Sequence, residues 1–218
     1  MVSVTTNPSG LTTVITYSST LNGYGPSQTA PTDAGTYDVF VQVDDPNYGG
    51  SATAMLTINK ATATVTLTDL NHTYDGTPRP ASATTMPPAL PVVFTYSGGG
   101  YGPSATPPTN AGSYTVQATI DHQNYQGSTT DTLVIAKANA TITVTNLNQN
   151  YDGSEHPVTV TTTPAGLPYT VTYNGSSRPP TSAGSYTVVV TINHQNYQGA
   201  TTVTLVINKA SQTITFGT

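Results

Sequence analysis

The peptide Asp-Ala-Gly-Thr-Tyr-Asp-Val occupies positions 33–39, and two close variants of it follow later in the chain. Positions 110–116 carry Asn-Ala-Gly-Ser-Tyr-Thr-Val, and positions 182–188 carry Ser-Ala-Gly-Ser-Tyr-Thr-Val. The tyrosines of these peptides are Tyr37, Tyr114 and Tyr186. The intervals between them are the same as the intervals that separate Lys60, Lys137 and Lys209. Because independent markers share one period, the sequence predicts a tandem array of small domains.

The markers divide the chain into three repeats and a short remainder. We place repeat 1 at residues 1–60, repeat 2 at residues 61–137 and repeat 3 at residues 138–209. Residues 210–218 begin Ala-Ser-Gln-Thr-Ile-Thr-Phe, which matches Ala-Asn-Ala-Thr-Ile-Thr-Val at the start of repeat 3. Repeat 1 has no such opening segment, so it is N-terminally shortened, and residues 210–218 are predicted to be the first strand of a fourth repeat.

Two outcomes are open for this spare strand. It extends repeat 3 without a partner or frays, as chain ends commonly do. Alternatively, it pairs with the sheet edge that the shortened repeat 1 exposes on another molecule, since unpaired edges accept added strands.

The periodicity within each repeat is two, which is typical of strands with one face on a core. Positions 114–120, for example, alternate as Tyr-Thr-Val-Gln-Ala-Thr-Ile. No window has the spacing of an amphipathic helix, so we expect essentially no helix. In repeat 2 we predict strands at residues 64–67, 79–85, 92–96, 114–120 and 131–135. Five to six short strands per repeat, separated by Gly, Pro and Asp-Gly turns, indicate an all-β antiparallel sandwich.

The Ala-Gly-x-Tyr motif makes the fold class more specific. In immunoglobulin-like sandwiches, a Tyr near the start of strand F bonds back to the preceding corner, and a Cys lies two residues further on. Tyr37, Tyr114 and Tyr186 have Val at that position, as a domain without disulfides requires. We therefore predict tandem immunoglobulin-like modules with these tyrosines as structural corners.

The composition excludes several classes of partner. Only 7% of the 218 residues are charged, the net charge is −5, and Lys and Arg together number 5. Binding to nucleic-acid phosphates or to an acidic membrane surface needs a basic face, so we expect neither. The chain has no Cys, which excludes disulfides and thiol chemistry. No apolar run approaches the ~20 residues of a membrane span, so we expect no direct membrane contact.

The order of short motifs resembles the MBG repeats, an immunoglobulin-like module of long, mostly bacterial surface proteins and adhesins. The motifs are Tyr-Asp-Gly at 74–76 and 151–153, Gly-Tyr-Gly at 23–25 and 100–102, the Ala-Gly-x-Tyr corners, and Ile-Asn-Lys-Ala at 58–61 and 207–210. Repeat 3 departs from this pattern, because residues 174–178 replace the Gly-Tyr-Gly segment. The resemblance implies a structural or adhesive role outside the cell and supplies no catalytic residues.

Candidates for chemistry are few. Asp44, Asp45 and Asn47 place oxygen atoms close together, which makes them a calcium candidate, although the set does not recur in repeats 2 and 3. Lys60 and its two counterparts could form Lys–Asn crosslinks if they were buried beside a carboxyl group, but a solvated lysine at a junction is the simpler expectation. No recurrent carboxylate pair or histidine set suggests catalysis, so we predict no enzyme and no cofactor.

Tyrosines in loops and hairpin turns are the remaining candidates for a ligand site or for contacts between repeats. They are Tyr24, Tyr101, Tyr48, Tyr125 and Tyr197. Tyrosine combines a flat apolar ring with a hydroxyl, which suits a face for glycan or a host protein. The alternative, which we favour, is that these rings cover the ends of small modules or pack between neighbouring repeats.

These patterns predict a non-enzymatic stalk or spacer of a bacterial cell-surface, adhesin-like protein, located outside the cell. Its partners are the neighbouring repeats of the same parent chain. The alternative function is a ligand-binding module that uses the tyrosine-bearing loops. The junctions lack Gly and Pro, so we expect an extended array with little hinge motion.

Overall fold

The structure is a computed structural model that describes residues 2–217. Met1, the first residue of repeat 1, and Thr218, the last residue of segment 210–218, lie outside the described residues. The described chain contains no α- or 3-10 helix, and its elements are strands joined by turns. The prediction of an all-β protein is confirmed. Residues 2–217 also form no helix with the length and hydrophobicity that a membrane span requires.

The chain divides into two compact units, and both draw residues from repeat 2. The first consists of Met1–Thr68, Ala83–Thr95 and Gln117–Thr130. The second consists of Asp69–Ser82, Tyr96–Val116 and Asp131–Thr218. The residues that join repeat 1 to repeat 2 all belong to the first unit, and those that join repeat 2 to repeat 3 all belong to the second.

Repeat 1 forms one antiparallel sheet. Its strands are β1 (Thr13–Ser19), β2 (Tyr24–Ser27), β3 (Gly35–Val43) and β4 (Ser51–Ile58). They lie in the order β2-β1-β3-β4, with β3 paired to both β1 and β4 along most of its length. Residues 2–7, before β1, form no strand.

Repeat 2 contains nine strands, some of only two residues. They are β5 (Ala61–Thr62), β6 (Thr64–Thr68), β7 (Asn71–Thr73), β8 (Ser82–Met86), β9 (Val92–Gly98), β10 (Tyr101–Ser104), β11 (Gly112–Ile120), β12 (Tyr125–Gln126) and β13 (Ser128–Ala136). Strands β6 and β8 form a two-stranded sheet, and the larger sheet has the order β10-β9-β11-β13-β7.

Repeat 3 follows the same plan without a counterpart of β10. Its strands are β14 (Ala138–Asn139), β15 (Thr141–Thr145), β16 (Asn148–Asn150), β17 (Thr159–Thr163), β18 (Tyr169–Tyr173), β19 (Gly184–Ile192), β20 (Tyr197–Gln198) and β21 (Ala200–Asn208). Strands β15 and β17 pair in one sheet, and the other sheet has the order β16-β21-β19-β18.

The core of repeat 3 lies between these two sheets. Val188, Val190 and Leu205 point inward from β19 and β21 and are fully buried. Ile142 and Val144 of β15 pack against them from the opposite layer. Alternate residues of each strand therefore face one apolar interior, which is the immunoglobulin-like sandwich that the alternation predicted.

Short parallel pairings are the main departure from the predicted antiparallel sandwich. Asp69 and Asn146 adopt positive φ angles of 57° and 62°, a conformation that Asp and Asn tolerate better than most residues. The bend follows β6 in repeat 2 and β15 in repeat 3. After one further residue, residues 71–73 and 148–150 pair in parallel with the last strand of their repeat. The two strands on either side of the bend, β6 and β7 in repeat 2 and β15 and β16 in repeat 3, therefore belong to different sheets.

Several strands in repeat 2 also differ from the prediction. Strands β9, β11 and β13 are longer than predicted, at Val92–Gly98, Gly112–Ile120 and Ser128–Ala136. Strand β8 begins at Ser82 and not at Arg79, because the Arg79 N–H donates to Pro108 O (2.9 Å) and is not part of a β6–β8 ladder. Residues 101–104, which hold the predicted loop tyrosine Tyr101, form the edge strand β10, where Pro is tolerated.

Candidate functional site at the junctions between repeats

The three predicted corner tyrosines bond back to the residue four positions earlier. Tyr37 Oη donates to Asp33 O (2.7 Å), Tyr114 Oη to Asn110 O (2.8 Å) and Tyr186 Oη to Ser182 O (2.9 Å). We refer to residues 33–37, 110–114 and 182–186 as the corners. In the second corner a Cβ on Gly112 would lie 3.2 Å from the Tyr114 hydroxyl, so the closed loop leaves little room for a side chain there.

Replacing the hydroxyl of a corner tyrosine should weaken its repeat. We expect Tyr114→Phe and Tyr186→Phe each to lower the free energy of unfolding by about 1 kcal/mol, because each removes one hydrogen bond and leaves a carbonyl unpaired. Tyr125→Phe, at a partly buried position in the two-residue strand β12, should cost less. Thermal unfolding followed by circular dichroism measures these changes, and equal losses in all three variants would contradict the corner assignment.

Alkaline pH provides a second readout for Tyr114. Burial raises the pKa of its hydroxyl above the ordinary value near 10. A group with a raised pKa in the folded state contributes stability below its unfolded pKa and loses that contribution as the pH rises through the folded pKa. Unfolding of Tyr114→Phe should therefore depend less steeply on pH above about 10, although Tyr96, whose pKa burial also raises, retains part of the dependence.

Tyr24 and Tyr101 pack on the corners of their own repeats. The Tyr24 ring meets the Tyr37 ring edge to face at 5.6 Å, and Tyr101 meets Tyr114 in the same way at 5.8 Å. Their hydroxyls donate to Thr29 O (2.7 Å) and to Thr106 O (2.8 Å). Both rings lie at the start of an edge strand and not in a loop, and their polar groups are already used within the repeat.

Repeat 3 has an open cavity where the other two repeats place this second tyrosine. The cavity has a volume of about 550 Å³, and Arg178, Ser182 and Tyr186 are among the residues that line it. Arg178 Nε donates to Glu155 Oε1 (2.7 Å) beside it. Within repeat 3, this is the place where the ligand-binding alternative has space for a ligand.

A turn between the last two long strands carries the residues that reach the neighbouring repeat. We refer to residues 44–50, 121–127 and 193–199 as the tips. In repeats 2 and 3 the Asn124 N–H and the Asn196 N–H each donate to Nδ1 of the His two residues earlier, at 3.0 Å. This bond closes the turn and positions the Asn side chain beyond it.

The tip of repeat 1 uses Asp45 in place of this histidine. Asp45 Oδ1 accepts the N–H groups of Asn47 (2.8 Å) and Tyr48 (3.2 Å). Of the two carboxylates of the calcium candidate, that of Asp45 is therefore engaged in its own turn. Across residues 2–217, no group of three or more His, Cys, Asp or Glu side chains comes together.

The first junction is held by two tip side chains of repeat 2. Asn124 Oδ1 accepts the Ala34 N–H (2.7 Å), and Asn124 Nδ2 donates to Asp33 Oδ1 (2.8 Å). Gln123 Nε2 donates to Ala34 O (2.7 Å). The tip of repeat 2 thus binds both the backbone and a side chain of the preceding corner.

The second junction repeats the asparagine contact with different residues. Asn196 Oδ1 accepts the Ala111 N–H (2.8 Å), and Asn196 Nδ2 donates to Asn110 Oδ1 (3.0 Å). Asn196 is buried. Since a buried amide is costly unless its donors and acceptors are paired, the two hydrogen bonds account for its burial.

The junction lysines donate to the same tips. Lys60 Nζ donates to His122 O (2.8 Å), and Lys137 Nζ donates to His194 O (2.7 Å). Both hydrogen bonds are exposed, whereas a Lys–Asn crosslink requires a buried amine. The lysines are junction hydrogen-bond donors with solvated ammonium groups.

The segment that connects two repeats is also tied to the tip through its backbone. At the first junction Ala61 N–H donates to Asn124 O and Ala63 N–H to Gln126 O, both at 2.8 Å, so β5 pairs in parallel with β12. Strand β14 pairs with β20 in the same way. The approach is so close that a Cβ on Gly127 would overlap the Ala63 carbonyl oxygen, and a Cβ on Gly199 would lie 2.6 Å from Ala140 O.

The tyrosines of the three tips have different environments. The Tyr197 ring meets the Tyr74 ring of repeat 2 edge to face at 5.4 Å. Tyr125 lies against His122 of its own tip at 5.2 Å. Tyr48 is 49% exposed. Of these three, Tyr197 makes the packing contact between neighbouring repeats that the sequence suggested.

Sequence reasoning missed the roles of Gln123, Asn124 and Asn196. The available signal was the Asn-Tyr-x-Gly sequence, which occurs in all three tips. The same sequence is equally typical of a hairpin turn. The contact of the Asn side chain with the corner of the preceding repeat is therefore visible only in the structure.

Comparisons with known proteins agree with the repeat pattern. The family model of the MBG domain matches the chain three times, over residues 1–62, 63–139 and 140–211. No curated protein matches the sequence.

Two solved structures of immunoglobulin domains are also similar. The structure of Sidekick-1 immunoglobulin domains 1–5 is 12% identical over 92% of this chain, with a TM-score of 0.28, and this chain spans 55% of its length. The structure of Sidekick-1 immunoglobulin domains 1–4 is 12% identical over 90% of this chain and 67% of that one, with a TM-score of 0.30. Neither superposition is close enough to add to the description of the fold.

Proposed function

Because the chain belongs to the MBG domain family, we propose that it is a spacer whose repeats serve to hold other parts of a longer protein apart. More specifically, we propose a non-enzymatic stalk segment of a bacterial cell-surface, adhesin-like protein, located outside the cell. The observation that supports this role is the asparagine contact between tip and corner, which is built at both junctions. The partners are the neighbouring repeats of the same parent chain.

The junction geometry supports a spacer because it opposes bending. At each junction an Asn side chain bonds to the preceding corner, a Lys bonds to the following tip, and the connecting backbone pairs with that tip. Each such hydrogen bond contributes about 0.5–1.5 kcal/mol. A hinge motion would have to break several of them together, so the repeats are held in a fixed relation across each junction.

The use of the tyrosines favours a spacer over the ligand-binding alternative. Tyr24 and Tyr101 pack their rings on their own corners and donate their hydroxyls to backbone carbonyls of their own repeats, and Tyr197 contacts Tyr74. Because these rings pack against other tyrosines of the chain, they do not lie together on one surface that a glycan or a host protein could contact. The open cavity of repeat 3 offers space for such a ligand, and it occurs in the repeat that departs from the common pattern.

Small-angle scattering of the dilute monomer tests the proposal. Strands of seven to nine residues at ~3.3 Å per residue, with their loops, give roughly 30–40 Å per repeat, so the maximum dimension should be roughly 100 Å. We expect the double variant Asn124→Ala, Asn196→Ala to show a broader distribution of dimensions, because both junctions lose the asparagine contact with the preceding corner.

Asn47→Ala is the matched control, because it removes the same tip residue from repeat 1, which has no preceding corner in this chain. Its scattering should equal that of the unmodified protein. A compact, near-spherical particle for the unmodified protein would overturn the spacer proposal, and an unchanged double variant would show that the asparagines do not maintain the arrangement.

A further inference from the structure

Repeat 3 lacks the short hairpin that carries the second tyrosine in the other two repeats. In repeat 2, Tyr96 of β9 pairs with Ser104 of β10, and Tyr101 lies between them in the sequence. The equivalent pair of repeat 3 is Tyr173 and Ser176, whose backbone N–H groups each donate to the carbonyl of the other, at 2.7 and 2.9 Å. The connection between the paired residues is five residues shorter in repeat 3, so no residue remains to take the place of Tyr101.

The carbonyl that the second tyrosine uses has an equivalent in repeat 3. In repeat 2, Ser104 Oγ accepts the Thr106 N–H (3.0 Å). In the same way Ser176 Oγ accepts the Arg178 N–H (3.1 Å), so Arg178 is the structural equivalent of Thr106. The Tyr101 hydroxyl donates to Thr106 O (2.8 Å). Arg178 O is therefore the carbonyl that a hydroxyl at the same place in repeat 3 would reach.

The shortened turn is held in one conformation, so it does not close over the cavity. Asn174 and Gly175 have φ angles of 45° and 85°, the left-handed pair that a two-residue hairpin turn requires. The Asn174 N–H donates to Thr187 O, and Asn174 Oδ1 accepts the Thr187 N–H, both at 2.8 Å. These bonds fix one wall of the 550 Å³ cavity and leave the space over Tyr186 open.

A neighbouring repeat does not fill this place either. The corner of repeat 2 contacts Tyr101 of its own repeat and also Asn196 of repeat 3, which accepts the Ala111 N–H. The corner of repeat 1 likewise contacts both Tyr24 and Asn124. Because the second tyrosine and the following tip occupy different positions on one corner, a tip placed on the corner of repeat 3 would leave the cavity unfilled.

We propose that this cavity binds the side chain of a tyrosine that a partner polypeptide presents. The bound ring meets Tyr186 edge to face, as Tyr101 meets Tyr114 at 5.8 Å, because the positive edge of one ring is attracted to the negative face of the other. The bound hydroxyl donates to Arg178 O. This binding goes beyond a spacer role, since it adds a partner from outside the array of repeats.

Arg178 gives the cavity a feature that the filled sites of repeats 1 and 2 lack. It stands where those repeats have Thr29 and Thr106. Its side chain lines the cavity and is 80% exposed, with Nε paired to Glu155 Oε1 at 2.7 Å. A guanidinium is attracted to the face of an aromatic ring. A tyrosine is therefore a better occupant than an aliphatic side chain, which has neither a π face nor a hydroxyl.

Titration of the whole chain with N-acetyltyrosinamide, followed by two-dimensional NMR of the backbone amides, tests the proposal. We expect saturable shifts at residues 174–187 with a dissociation constant of roughly 1 mM, because one small ring makes few contacts. Repeats 1 and 2 are the internal control, since Tyr24 and Tyr101 already fill the equivalent places and their surroundings should not shift. N-acetylphenylalaninamide should bind up to about tenfold more weakly, because it cannot make the hydroxyl hydrogen bond.

Two variants test the site itself. Replacing residues 174–175 by residues 97–103 of repeat 2 gives repeat 3 a second tyrosine of its own and should abolish the shifts. Arg178→Thr has the residue type of repeat 2 at this position and should weaken binding several-fold, because the guanidinium is lost while the cavity remains. Lys209→Thr is the matched control, since it removes a positive charge from repeat 3 outside the cavity, and it should bind as the unmodified protein does.

Three results would overturn the proposal. The first is the absence of saturable shifts in repeat 3, or their persistence in the variant that carries residues 97–103. The second is equal binding of the tyrosine and phenylalanine amides, which would mean that the hydroxyl makes no hydrogen bond in the cavity. The third is tighter binding of p-cresol than of N-acetyltyrosinamide, which would identify a free phenol as the ligand in place of a polypeptide.

Discussion

Replacing Gly127 by alanine should lower the free energy of unfolding of repeat 2 by about 2–3 kcal/mol. Gly127 does not have a positive φ, so the reason is steric: the new Cβ would overlap the carbonyl oxygen of Ala63. The connecting segment has to move away, which strains a packed region and weakens the bond from the Ala63 N–H to Gln126 O. Calorimetry measures the loss, and hydrogen exchange at the Ala63 amide should accelerate.

The corresponding glycines of the other repeats form a graded control series. Gly199→Ala should act in the same direction, with a similar or smaller loss, because its Cβ would lie 2.6 Å from Ala140 O. Gly50→Ala should be neutral or slightly stabilising, since its Cβ would make only an ordinary contact with Val43 Cγ2 at 3.8 Å and alanine reduces the entropy of the unfolded chain. Equal losses in all three variants would show that the effect is local to the turn and independent of the connecting segment.

The parts of the fold that the sequence predicted are those with a local cause. The alternation of Tyr114, Val116 and Ala118 identifies a strand, because side chains on one face of a sheet recur every second residue. The resemblance to the MBG repeats is confirmed by the family match over three consecutive segments. Repetition strengthened each of these inferences, since three copies of a motif are harder to attribute to chance than one.

The parts that sequence reasoning missed depend on distant residues. Strand β7 is three residues long and exists because β13 lies beside it. Asn124 has the same local sequence as any residue of a polar turn, and its partner Ala34 is 90 positions away. Alternation and turn propensity carry no information about which turn meets which corner. The junctions therefore had to be found in the structure.

Equivalent leucines in repeats 1 and 3 differ in burial, so their removal should cost different amounts of stability. Leu205→Ala should lower the free energy of unfolding of repeat 3 by about 2–5 kcal/mol, because Leu205 is fully buried beneath β15 and its removal leaves a cavity. Leu56 is the equivalent residue of repeat 1 and is already partly exposed. In dilute protein, Leu56→Ala should therefore cost about half as much or less, since water reaches the position before the change.

Chemical denaturation of the two variants measures these losses. Equal losses in Leu56→Ala and Leu205→Ala would contradict the difference in burial between the two positions.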